Sequence, residues 1–192
     1  MIKWKFKRII KWVLRFLISP VILCSKINKD KDNFLQRVAQ TASLIPGNIG
    51  IIIRREIISF LLNHIDDSVV INFGTIFSRI NCELNKNVYI GAYCCIGSVC
   101  IKKDTIIGDH VSILSGKHQH FFSDLASPVR TQKGKLKKII IGEDCWIGSH
   151  SIIMADIGEK CIVGAGSVVL NNFEGYCVIA GNPAKLIRKR IF

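Results

Sequence analysis

Five histidines punctuate the 192-residue chain: His64, His110, His118, His120 and His150. Imidazole is the side chain whose ordinary pKa lies nearest neutrality, so each is a candidate to take or return a proton during a reaction. Their settings differ. His64 lies in a helical preamble, and His110 and His150 each follow a glycine of a recurring pattern. His118 and His120 open an unpatterned stretch, SGKHQHFFSDLASPVRTQKGKLKK, which also carries two aromatics and a +5 patch from Arg130 to Lys138. A second resource is cationic. Lys185 to Arg190 add +4 directly after the small residues Ala180-Gly181-Asn182-Pro183-Ala184. Alone, such a run reads as a solvated tail; in company it suits a polyanion. The eight cysteines (Cys24, Cys82, Cys94, Cys95, Cys100, Cys145, Cys161 and Cys177) form no CxxC and no pair at ligand spacing. They read as reduced, mostly buried small apolar residues, and no metal site is expected.

The elements that must hold these groups are legible from about Val69 onward. There the helical texture stops and an aliphatic residue followed by glycine recurs: Ile90-Gly91, Ile96-Gly97, Ile107-Gly108, Ile141-Gly142, Ile147-Gly148, Ile157-Gly158 and Val163-Gly164. Steps of six residues separate 90 from 96, 141 from 147 and 157 from 163. Six is too long for strand alternation and does not match helical turns, but it fits one flat face of a triangular solenoid. The aliphatic residue points inward and stacks on its equivalents in the coils above and below. The glycine admits a corner that a side chain would crowd. Two irregularities stand out. Ile147 and Ile157 are ten residues apart rather than twelve, and between Leu114 and Ile139 the repeat vanishes. A gap of that length is an excursion from the solenoid, and such loops are commonly functional.

Composition narrows the function classes. Hydrophobic residues at 49% and charged residues at 21% describe a folded protein rather than a disordered one. The net charge of +13 is concentrated in residues 1–31 (+8), the 130–138 patch and the 185–190 run. No helix-turn-helix, zinc-finger or RNA-sheet signature accompanies the charge, so nucleic acid is the weakest of its anionic partners. The start, MIKWKFKRIIKWVLRFLISPVILC, is interrupted by Lys11 and Arg15, which argues against a cleaved signal and against a spanning helix. It reads as an amphipathic helix with Ile2, Phe6, Ile9, Val13 and Leu17 on one stripe. That stripe suits an anionic membrane surface through residues 1–24, or packing on protein; periodicity does not separate the two.

The pattern from about residue 69 to 190 resembles the hexapeptide-repeat acyltransferases, whose fold is the left-handed parallel β-helix. Ser115-Gly116-Lys117-His118 is similar to the turn preceding the catalytic histidine in the xenobiotic, maltose and colanic-acid acetyltransferase group. Ile141 to Gly148 resembles the group's IGxxxWIG coil, Val163 to Val169 its GAGSVV coil, and Ala180 to Arg188 its AGNPAKxIR ending. The preamble IPGNIGIIIRRE (Ile45 to Glu56) resembles acyltransferases of surface-polysaccharide pathways more loosely.

The resemblance implies a mainly β protein with a helical N-terminal segment (1–66), a β-helix acyltransferase domain (67–182) with an excursion loop (115–138), and a short basic C-terminal tail (183–192). It implies an acetyl-CoA-dependent O-acetyltransferase acting on a sugar or sugar-derived precursor of a surface polysaccharide, with His118 as general base. N-acetylation of an amino sugar nucleotide, serine acetylation and an inactive β-helix scaffold are the alternatives. Trp146, Gly148, Ala165, Gly166, Asn182, Pro183, Lys185 and Arg188 would hold the cofactor, small residues admitting the pantetheine arm and cations meeting the phosphates. Tyr93 stands where the maltose-type enzymes place an acceptor-binding asparagine, and His120 is a second acceptor candidate. The resemblance further implies a homotrimer with sites between subunits, in the cytoplasm, with a peripheral contact to the inner face of the membrane.

Overall fold

The computed structural model describes residues 19–21 and 23–190; the amphipathic stripe of residues 2–17 lies outside them. From residue 64 the chain winds into a parallel β-helix of three faces. The first face holds β1 (His64–Ile65), β4 (Cys82–Leu84), β7 (Val99–Ile101) and β10 (Ile139–Ile141), continued by bridges at Ile157 and Phe173. The second holds β2 (Val70–Ile71), β5 (Tyr89–Ile90), β8 (Ile106–Ile107), β11 (Trp146–Ile147), β13 (Ile162–Val163) and β15 (Cys177–Gly181). The third holds β3 (Ile76–Phe77), β6 (Cys95–Ile96), β9 (Ser112–Ile113), β12 (Ile152–Ile153) and β14 (Val168–Val169). Strands this short survive because those within each face are paired, in register, with the coils above and below.

The core is a set of inward columns. Ile71, Ile90, Ile107, Ile147, Val163 and Ile179 align on the second face, and Phe77, Ile96, Ile113, Ile153 and Val169 on the third, all buried. Each Ile-Gly unit therefore ends a strand, as expected. The glycine's role differs from the expected one. At all seven repeat glycines an added Cβ would fall under 3 Å from atoms of the next coil, while none of the seven has a positive φ. The left-handed corner positions are held by other residues: Asn87, Tyr93, Asp104, His110, Asp144, His150, Lys160 and Tyr176. Glycine is needed for the approach of neighbouring coils rather than for the bend.

Small polar residues at the corners tie the coils together. Thr75 Oγ1 donates to Gly91 O (2.7 Å), Thr105 Oγ1 to Gly142 O (2.8 Å) and Ser151 Oγ to Gly164 O (3.1 Å). Cysteines take the same position: Cys94 Sγ reaches Gly108 O, Cys145 Sγ reaches Gly158 O and Cys161 Sγ reaches Glu174 O, each at 3.1 Å. These thiols are small donors in a ladder as well as apolar filler. All eight cysteines are free, six of them buried.

Both ends of the solenoid are covered. At the first coil, α1 (Lys31–Ser43), N-capped by Asp30, packs on α2 (Gly47–Ser59), and the pair lies against β2 and β3. The buried Arg54 of α2 donates Nε to Ile71 O (3.1 Å) and Nη1 to Ile45 O (2.5 Å), satisfying carbonyls that face no further coil. At the last coil the chain turns at Asn182-Pro183 and β16 (Ala184–Lys189) pairs antiparallel with β15. The basic run is thus a strand that closes an open edge, whereas its charge alone reads as a solvated tail. Among the described residues no helix is long and apolar enough to cross a membrane.

Candidate active site

The excursion leaves the solenoid after β9 and returns at β10, at the corner between the third and first faces. Its root is pinned. Ser115 is buried and its Oγ accepts a hydrogen bond from Ser98 N at 2.9 Å. Gly116 takes a left-handed conformation (φ 82°) with the Lys137 side chain 3.0 Å from where a Cβ would sit. The two limbs then pair: Lys137 N donates to Ser115 O (2.9 Å) and Lys135 N to His118 O (2.7 Å). Backbone pairing therefore fixes His118 on the outgoing limb, with its ring exposed. Among the described residues no side-chain hydrogen bond holds its ring. His120 is also exposed, two residues further out.

Beside His118 lies a cleft of about 530 Å³ whose walls come from two sources. Lys117, Lys135 and Lys137 belong to the loop; Met154, Ala155 and Leu170 belong to the solenoid corner after β12 and β14. That corner is where the coil is short. Ile153 to the bridge residue Ile157, and Val169 to the bridge residue Phe173, each span four positions. The irregular interval seen in the sequence is thus a tight corner that repeats in two successive coils, and it forms the cleft's floor.

The cofactor candidates gather elsewhere. Gly148, Ala165, Gly166, Asn182 and Pro183 all sit at the corner joining the second face to the third. Gly148 is buried, with Ala165 N 2.5 Å from a hypothetical Cβ, while Gly166 (φ 69°) has open space around it. Lys185 lies exposed on β16 next to that corner, in register with Ala180. Arg188, also exposed, is in register with Val178 further back along the second face, where Trp146 stands outward, 55% exposed. Small residues and exposed cations therefore lie on this side of the solenoid. His118 and His120, however, occupy the opposite edge of the third face. One chain does not bring the base candidate and the cofactor candidates together.

Tyr93 lies on the cofactor-side corner too, apart from His118. Its ring stacks on His110 (centroids 5.1 Å), which stacks on His150 (4.7 Å), with Phe73 edge-on below at 5.5 Å. Tyr93, His110 and His150 hold the same left-handed corner position in successive coils, and Gly166 is the next in that column. The stack was not foreseen, although the shared position after a repeat glycine signals it. Lys117, Lys135, Asn171 and Asn172 at the cleft were missed as well; only the shortened coil marks their corner. Among the described residues no group of three His, Cys, Asp or Glu is placed to hold a metal.

Comparison with known proteins agrees with the architecture. The family described as "hexapeptide repeat of succinyl-transferase" matches residues 138–171. No curated protein matches the chain. Among solved structures, a galactoside acetyltransferase in complex with coenzyme A superimposes with a TM-score of 0.70 at 22% identity, over 84% of this chain and 84% of that one. A hexapeptide-repeat acetyltransferase from Vibrio cholerae gives 0.67 at 18% identity, covering 85% and 95%. A maltose O-acetyltransferase from Clostridium difficile 630 gives 0.63 at 19% identity, covering 84% and 89%. At such identities the likeness establishes the fold. The chain carries a segment similar to the hexapeptide-repeat family and shares the β-helix fold of these solved structures.

Proposed function

We propose that this protein is an acetyl-CoA-dependent O-acetyltransferase whose acceptor is a sugar or sugar-derived precursor of a surface polysaccharide, with His118 as general base. The observation that carries the reading is the pinned loop root: it holds an imidazole at the mouth of a cleft large enough for a sugar. In the reaction, His118 takes the proton of the acceptor hydroxyl as its oxygen attacks the thioester carbonyl. The carbon–sulfur bond breaks, the acetyl group passes to oxygen, and His118 returns the proton to the departing thiolate. Gly148, Ala165, Gly166, Asn182 and Pro183 would line the groove for the pantetheine arm, Trp146 flanking it and Lys185 and Arg188 meeting the phosphates.

The working unit in this reading is a homotrimer. Two observations support it. The base and cofactor candidates lie at different corners, so a neighbouring copy has to bring one to the other. Also, Tyr89, Ile106 and Trp146 form a register-aligned apolar column on the outside of the second face, each more than 40% exposed, on a flat surface suited to burial against another subunit. Residues 67–182 serve as the catalytic unit, and residues 1–24 serve as the contact to the inner face of the membrane from the cytoplasm. Incubation with acetyl-CoA and a panel of sugars, sugar nucleotides and serine, read by mass spectrometry, tests the reading. An acetylated sugar supports it; acetylated serine alone, or no product with any acceptor, counts against it.

A further inference from the structure

Three lysines line the His118 cleft, and two of them lack a counter-charge. Lys137 Nζ is neutralised by Asp156 Oδ2 at 2.6 Å, and Lys138 turns to Glu83 Oε1 at 2.6 Å and Asn81. Lys117 and Lys135 have no ion pair among the described residues, although backbone pairing sets them on facing limbs of one loop beside His118. Across the cleft, Asn172 Oδ1 accepts from Asp156 N (3.0 Å), and its NH2 remains available as a donor. Two cationic side chains on paired limbs of one loop, with no counter-charge among the described residues, leave net positive charge beside His118. The apolar remainder, Met154, Ala155 and Leu170, is suited to the face of a sugar ring rather than to charge.

Surplus positive charge in the lining favours an anionic ligand. We infer that the acceptor carries an anionic group, a phosphate or a carboxylate on the sugar, held by Lys117 and Lys135 with the Asn172 amide while His118 faces the hydroxyl. The inference rests on the transferase reading above. A phosphate at these lysines has two sources, the acceptor or the cofactor. The acceptor is favoured because the cofactor candidates have their own cations, Lys185 and Arg188, on β16 of the second-face sheet, away from the loop. A cleft of one charge sign also draws an anionic sugar in from solution, and the attraction weakens with salt.

The test is equilibrium binding by the full-length protein of glucose 1-phosphate, glucuronate and neutral glucose at low and high salt, without acetyl-CoA. The variants are Lys117→Ala, Lys135→Ala and the pair, with acetyl-CoA affinity measured in parallel. Both lysines are exposed, so folding is unaffected, and melting curves check this. Wild type is expected to bind at least one charged sugar ten times or more tighter than glucose. Each single variant is expected to lose most of that preference, and the pair to lose all of it, with acetyl-CoA affinity unchanged. His118→Ala is expected to keep the preference. Equal binding of charged and neutral sugars by wild type, or a preference that survives in the double variant, overturns the inference. So does a loss that falls on acetyl-CoA alone, which assigns the lysines to the cofactor. A charged-sugar preference in a protein that transfers no acetyl group would leave the anion site standing and remove the transferase reading.

Discussion

The repeat glycines offer a quantitative check on how the solenoid is built. In Gly108→Ala the new methyl would lie 2.7 Å from Ser149 N, 2.8 Å from Ser149 Oγ and 3.0 Å from Ile147 O, well inside ordinary contact distance. Two of those three atoms are backbone of the next coil, so relief requires the coils to separate. Separation stretches Gly108 N to Ile147 O (2.8 Å), Ile106 N to Cys145 O (2.9 Å) and His150 N to Asp109 O (3.0 Å) together. Overpacking of a tight site costs about 1–3 kcal/mol, and weakened hydrogen bonds add about 1 kcal/mol. The expected loss is about 3 kcal/mol, which for a chain of this size is a fall in Tm of about 6–12 °C. Gly47→Ala is the matched control, because Gly47 has a positive φ (70°) and no atom within 4 Å of its Cβ position. Its cost is backbone strain of about 1 kcal/mol, or about 2–4 °C. Melting at fixed scan rate and protein concentration compares the two. If Gly108→Ala melts within 2 °C of wild type, or Gly47→Ala loses more, the coil-approach argument fails.

Three further outcomes follow from the buried polar groups. Burial pushes the thiols of Cys82 and Cys145 up to about 12 and that of Cys94 up to about 11, while Cys24 is exposed, so iodoacetamide at pH 8 should label Cys24 and leave those three unmodified until denaturant is added. Mass mapping checks this, and rapid labelling of Cys145 in the native state would refute it. The same raised pKa values link stability to pH: the unfolded chain ionises these thiols near 9, the folded one only at 11–12, so their contribution is intact below about pH 9 and drains away between pH 9 and 12. Denaturant midpoints over that range should therefore fall, and replacing Cys145 by serine should make the fall shallower. Finally, Arg54→Met strands two carbonyls, Ile71 O and Ile45 O, at the capped end of the solenoid, and should cost about 2–4 kcal/mol in urea unfolding; an unchanged midpoint would show that the cap is dispensable.

How much of this was legible in the sequence depended on whether a residue's role repeats. Ile107 and Ile147 announce themselves because each stacks on its equivalent one coil away, and the stacking constraint writes a period into the chain. The glycines were visible for the same reason, but their cause was not. A dipeptide does not reveal whether glycine answers a local bend or the backbone of the next coil, and at Gly108 and Gly142 it is the latter. The excursion was legible only as a break. Its limbs pair through Lys135 and His118, which are 17 residues apart with no periodicity to relate them. The strand Ala184–Lys189 was hidden for a similar reason, since an exposed edge strand rich in lysine and arginine has the composition of a tail. Asn171 and Asn172 face the His118 cleft only because Val169 to Phe173 is a short corner, a consequence of coil geometry.

The central claim is that His118 moves the proton in an acetyl transfer. Its most direct test compares wild type with His118→Ala and His120→Ala, incubated with acetyl-CoA and a charged and neutral sugar panel, with acetylated product read by mass spectrometry. The account predicts that wild type yields an O-acetylated sugar, that His118→Ala lowers kcat by about 10²–10⁴-fold with acetyl-CoA still bound, and that His120→Ala retains most of its rate. Product formed by His118→Ala at the wild-type rate would contradict it.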